Sequence, residues 1–309
     1  GGPRPSAQPQ TPRQKFAALR DRIVSEWLRD EPGKGRELGL HDYDGKVGAY
    51  GKEAMDRRVT RLSKAKAELG AVELKALTPD EALDHAILLK QIEMFLFRQT
   101  DMAEWRKNPR YYEELFGVNS YLDRDYAPLE DRARLLLAHE KAALAQVANV
   151  TGNLEGPLSK AIVETAIKVY KGYVEYLKGD VVKQLKGVGD AAFQADFAAT
   201  NGALAAAAQA IVDRLTNDEL PRADATSHIL GTERFKKLLF VQEGLDIPLA
   251  QFKAMGEKNL LENKKAFEAL KKKTRFTRPK ATELLATATK IMDASREFVI
   301  KKDLVTIPT

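Results

Sequence analysis

This sequence predicts an all-α protein, and three observations carry that prediction. Ala, Leu, Lys and Glu dominate while aromatic residues make up 7%, a bias toward helix formers over strand formers. The helix-start pattern Thr-Pro-x-Gln/Glu occurs twice, at Thr11 and Thr78. Apolar residues recur at three- and four-residue steps along most of the chain. The reading is an array of about nine helices joined by short loops.

Thr11-Pro12-Arg13-Gln14 supplies an N-cap, a proline at the first helical position and a glutamine at capping-box spacing. Phe16, Leu19, Ile23 and Trp27 then share one face. Residues 33–51 hold six glycines and no helical period, so they read as a loop. The next helix places Met55, Val59, Leu62 and Leu69 on one side. Thr78-Pro79-Asp80-Glu81 opens a long helix through Trp105, with Leu83, Ile87, Ile92, Phe95 and Leu96 inside. Pro128 opens another, to about Val150, whose stripe is Leu129, Ala133, Leu136, Ala143, Val147 and Val150. Residues 157–186 and 189–216 read as two helices split by Gly187-Val188-Gly189. Further helices cover 232–241 and 248–273, and a last one follows Pro279 to about Arg296. Val299, Ile300, Leu304, Val305 and Ile307 favour β structure, so a short terminal β segment is expected, paired with a partner or with polypeptide further on. Residues 1–12 read as a flexible leader or tag remnant and 13–309 as a single helical domain.

The 50 basic and 44 acidic residues are interleaved, whereas a nucleic-acid binder concentrates its basic residues on one face. The six basic residues of "KKKTRFTRPK" (271–280) read as a helix C-terminus, where lysine favours the dipole. No nucleic-acid partner is expected. No apolar run reaches the ~20 residues of a membrane span. There is no cysteine, which excludes disulfides, thiolate catalysis and Cys-ligated metals.

Few side chains offer chemistry. A zinc-peptidase helix needs two histidines at i and i+4 with a glutamate between them. His139-Glu140 begins such a pattern, but Ala143 stands where the second histidine belongs, so His139 reads as an exposed helix residue. Glu140 interrupts the Leu129–Leu136–Val147 stripe. A buried carboxylate costs several kcal/mol unless paired, so this face is expected to line a wet groove or meet an arginine. In "GLHDYDG", Asp42 and Asp44 alternate as calcium-loop ligands do, but Lys46-Val47 follows where further ligands belong. There is no G-x-S-x-G nucleophile elbow and no phosphate loop.

The ordered set "GLHDYDG" (39–45), "WRKNPRYY" (105–112), "YLDRDYAPLEDR" (121–132), "ETAIKVYKG" (164–172), "LGTERFKKLL" (230–239) and "FKAMGEKNL" (252–260) resembles the bacterial family called domain of unknown function 885. The resemblance implies a helical zinc metallopeptidase-like fold, similar to the oligopeptidases, in which two mostly helical halves flank a deep cleft. It also implies a His-Glu-Ala-x-Pro-Gly-His-His motif in the second half, a peptide substrate, and export or lipoprotein anchoring. This chain has no copy of that motif, so no catalytic or metal role is assigned to any residue. The expectation is the N-terminal half of such a protein, inactive alone, with zinc belonging to the full-length parent. His41, Tyr43, Asp44, Arg124, Asp125 and Tyr126 match family motifs and are expected to fix loops or line the cleft wall. Arg124 and Asp125 are expected to form an ion pair at a helix junction. The alternative is a self-contained helical module that binds a peptide or protein partner.

Overall fold

The computed structural model describes residues 10–274 and 277–307. In chain order its helices are α1 (Pro12–Asp30), α2 (Pro32–Glu37), α3 (Lys52–Gly70), α4 (Pro79–Thr100), α5 (Glu104–Lys107), α6 (Ser120–Asp123), α7 (Leu129–Leu144), α8 (Asn149–Gly152), α9 (Lys160–Tyr176), α10 (Val182–Leu185), α11 (Ala191–Arg214), α12 (Gly231–Glu243), α13 (Leu249–Lys273) and α14 (Leu284–Lys301). The protein is all-α: among the described residues no β-strand forms, and a single parallel bridge joins Ser159 to Asp224.

Local chemistry explains the helix starts. The Thr11 amide donates to Gln14 Oε1 at 2.9 Å while the Gln14 amide donates back to Thr11 Oγ1 at 3.3 Å. Thr78 and Glu81 repeat the exchange at 2.8 and 3.3 Å. Arg13 ties the two starts together, donating to both Glu81 oxygens. These hydrogen bonds pull the Glu81 carboxyl down to about 2.

The chain divides into two compact units, one ending at Asp246 and one beginning at Ile247. In the first, α1, α3 and α4 close on Phe16, Ile23, Ala65, Leu69 and Ile92. A larger core forms where α7, α9 and α11 meet the 3₁₀ segment Pro109–Phe116, around Tyr112, Phe116, Leu136, Tyr170 and Leu204. A π-helical turn at Leu177–Val181 joins α9 to α10. Such a turn frees carbonyls, and Asn201 Nδ2 donates to the carbonyl of Leu177 at 3.0 Å. The second unit contains α13 and α14.

Several expectations are corrected. The terminal β segment is absent: Val299 and Ile300 lie inside α14, because the ~1 kcal/mol span of β-propensity loses to helical hydrogen bonding when no neighbouring strand offers a ladder. The 33–51 loop contains α2 and a 3₁₀ turn, His41–Tyr43. The helix from Thr78 stops at Thr100. There Leu83 and Ile87 are 60% and 51% exposed, while Ile92, Phe97 and His85 are buried. Of the basic stretch, Lys271–Lys273 end α13; Arg275 and Phe276 lie outside the described residues.

Candidate functional site

The "GLHDYDG" turn and the α6–α7 junction form one knot. Asp44 is buried and its Oδ2 lies 3.0 Å from His41 Nδ1. The same oxygen accepts from the Tyr126 hydroxyl at 2.8 Å. The His41 and Tyr126 rings stack with centroids 3.8 Å apart. Burial, then the hydrogen bond to Asp44, raises the Tyr126 hydroxyl above its ordinary range. Gly45 has φ +72°, which favours glycine, and its amide donates to Tyr121 Oη at 2.9 Å. Gly35 is needed because a Cβ there would lie 2.5 Å from the Tyr43 ring. Arg36 locks the turn from behind, donating to the Lys46 carbonyl at 2.6 Å.

The junction differs from the expected Arg124–Asp125 pair. Asp125 accepts from Arg132 Nη2 at 2.8 Å, and Arg132 also donates to the carbonyls of Ala127 and Tyr121 at 2.8 Å. Arg124 instead donates to the Arg36 carbonyl at 3.3 Å. The chain leaves the helix between Asp123 and Leu129, so adjacent charges there splay apart while Arg132 reaches back from the first turn of α7.

His139 and Glu140 also depart from expectation. Both are fully buried. His139 sits 3.4 Å from Tyr121 Oη and 3.3 Å from the Leu115 carbonyl. Burial, reinforced by the positive charge of Arg36, pulls its imidazole down to about 3. Glu140 meets neither water-filled groove nor arginine: both carboxyl oxygens are enclosed without a hydrogen-bond partner, and burial pushes its pKa up to about 8. Sequence reasoning also missed Ser159 Oγ lying 2.8 Å from His228 Nδ1. Ser159 is 2% exposed, so the contact fastens the Asp224 loop to the start of α9 rather than presenting a nucleophile. Among the described residues, no three His, Asp or Glu side chains are placed to hold a metal ion.

The concave feature with most chemistry is a polar cavity of about 680 Å³ lined by six basic side chains and five carboxylates. Glu114 stands in its wall. Its Oε1 accepts from the Gly33 amide at 2.7 Å and its Oε2 from the Tyr50 hydroxyl at 2.8 Å, with Arg36 at 3.5 Å. Burial raises the Glu114 carboxyl despite these donors. Arg58 is buried and donates to Tyr111 Oη at 3.0 Å and to the Asp30 carbonyl at 2.9 Å. Arg98 grips Glu104 at 2.6 Å. Of the residues singled out from the sequence, Arg124 lines this cavity; His41, Tyr43, Asp44 and Tyr126 brace the turn beside Arg36 and Arg124, while Asp125 pairs with Arg132 away from it. The main wall residues were missed because they come from four separate stretches. The only local signal was the aromatic-basic run Arg110-Tyr111-Tyr112 within "WRKNPRYY".

Fold and site define a class: a helical protein whose polar, charge-balanced cavity is walled by arginine–carboxylate pairs and tyrosines. The chain belongs to the family described as "Bacterial protein of unknown function (DUF885)", which matches residues 32–305. Its fold is similar to a solved structure described as "a putative lipoprotein of unknown function from Shewanella oneidensis", at 21% identity and a TM-score of 0.72. The likeness covers 95% of this chain and 58% of that one, so the chain spans less than two thirds of that neighbour. No curated protein matches the sequence. No helix among the described residues is long and apolar enough to cross a membrane.

Proposed function

We propose that this chain is the non-catalytic helical part of a metallopeptidase-like protein and forms part of a peptide-binding cleft. The observation that supports it is the charge-balanced cavity of about 680 Å³. Interleaved donors and acceptors suit the alternating N–H and C=O groups of an extended peptide, and pockets of a few hundred Å³ and more enclose such ligands. Zinc enters only as an expectation for the parent protein, with no residue of this chain assigned to it. An extracytoplasmic location is part of the proposal, supported by the lipoprotein description of the structural neighbour.

The test is calorimetric titration of the full chain with blocked, unstructured heptapeptides, followed by mass spectrometry of the mixture. Binding without cleavage is expected, with no change on adding zinc. Absence of binding to any peptide overturns the cleft. Cleavage, or a stoichiometric, EDTA-reversible rise in melting temperature with zinc, overturns the non-catalytic assignment.

A second reading, the self-contained interaction module, is favoured by one observation. No residue of α13 or α14 is buried, although Leu260, Leu261, Phe267, Leu285 and Met292 are each more than 60% exposed. Peptide binding that survives Leu261→Glu with Phe267→Glu supports the cavity, and its loss supports the module.

A further inference from the structure

An apolar crevice of about 210 Å³ lies between α1, α3 and α4, walled by Ile23, Trp27, Leu62, Ile87, Leu88 and Phe95. It shares Glu31, Arg58, Phe95 and Gln99 with the polar cavity, so an apolar slot and a polar chamber have a common wall. Gln99 in that wall is 94% buried, being 6% exposed. Its Nε2 donates to Tyr111 Oη at 2.5 Å, and its Oε1 has no partner. That oxygen is enclosed, so a ligand donor reaches it only on a side-chain rotation that opens the shared wall; a buried amide left half-satisfied is costly, which favours that rotation once a ligand is present.

We propose that the crevice is a side-chain subsite that takes one phenyl or large aliphatic side chain of a peptide, with the adjoining peptide group at Gln99. This rests on the peptide-binding reading above. The size agrees, since a dry cavity of about 150 Å³ takes benzene. The electrostatics choose a peptide over a fatty acid. Asp30 and Glu31 lie 3.6 and 3.8 Å from the Arg58 guanidinium, so its charge is already matched and a free carboxylate gains little there. A neutral peptide group offers both donor and acceptor to Gln99.

The full chain is titrated with Ac-Gly₃-Xaa-Gly₃-NH₂, Xaa being Phe, Leu or Ala, and with octanoate, following Trp27 fluorescence and heat. Phe and Leu peptides are expected to bind at least ~10-fold more tightly than Ala, as burial of an apolar side chain gives, and octanoate more weakly than either. Ile87→Lys, at a half-exposed position on the crevice wall, should erase the Phe-over-Ala preference. Gln99→Leu should weaken all peptides and keep the preference. Equal binding of Phe and Ala peptides by the unaltered chain overturns the subsite and leaves the cleft standing. Failure of every peptide to bind overturns both. Octanoate binding as tightly as the Phe peptide overturns the amide assignment.

Discussion

At the scale of the residue, two neighbours on α7 bend the stability profile in opposite directions. The Glu140 carboxyl titrates near 8 when folded and near 4.5 when unfolded, so the folded chain holds a proton that the unfolded chain has lost. Its contribution is complete below pH 4.5 and is lost as pH rises toward 8, by about 1.4 kcal/mol per pH unit at most. His139 titrates near 3 when folded and near 6.5 when unfolded. Its contribution is complete above pH 6.5 and is lost on acidification. Glu140→Leu is therefore expected to raise stability at pH 8 by a few kcal/mol and flatten the alkaline limb, and His139→Phe to flatten the acid limb, both by urea unfolding across pH. An unchanged alkaline limb in Glu140→Leu would show that the carboxyl is solvated or paired. The sequence revealed the interrupted stripe at Glu140. It could not reveal that the site is sealed, because burial depends on which helix covers that face.

At the scale of the element, the α6–α7 junction is held by one arginine. Arg132 is 5% exposed and donates to three backbone carbonyls, those of Ala127, Tyr121 and Leu122, and to one carboxylate. Lysine has no planar fork to reach all four, so Arg132→Lys is expected to destabilise by about 2 kcal/mol or more in chemical denaturation. Asp125→Ala should leave the midpoint nearly unchanged, because the Asp125 side chain is 94% exposed and such pairs contribute little. Equal losses from the two substitutions would move the anchor to the ion pair. The motif "YLDRDYAPLEDR" contains Arg124, Asp125 and Arg132 alike. Outside a helix, spacing does not say which arginine turns toward the aspartate. The helix starts were legible because a capping box closes within four residues, while the terminal β-formers misled because a strand exists only with a partner.

At the scale of the whole molecule, both apolar cores are complete before the boundary at Asp246, and among the described residues the last buried apolar one is Val241. A chain ending at Asp246 is expected to keep a cooperative melt within about 3 °C of the full chain, a shift near 1 kcal/mol at this size, as read by circular dichroism. A broad, non-cooperative melt would make α13 and α14 part of the folding unit. By itself the sequence determined the helical class, the capped starts and most apolar faces, since those rest on contacts three or four residues apart. Tertiary structure alone decided that Gly33, Arg36, Tyr50, Arg58, Gln99 and Glu114 wall one cavity, and that His139 and Glu140 are sealed from water. Those outcomes depend on which helix faces meet across tens of residues, and no local period encodes that.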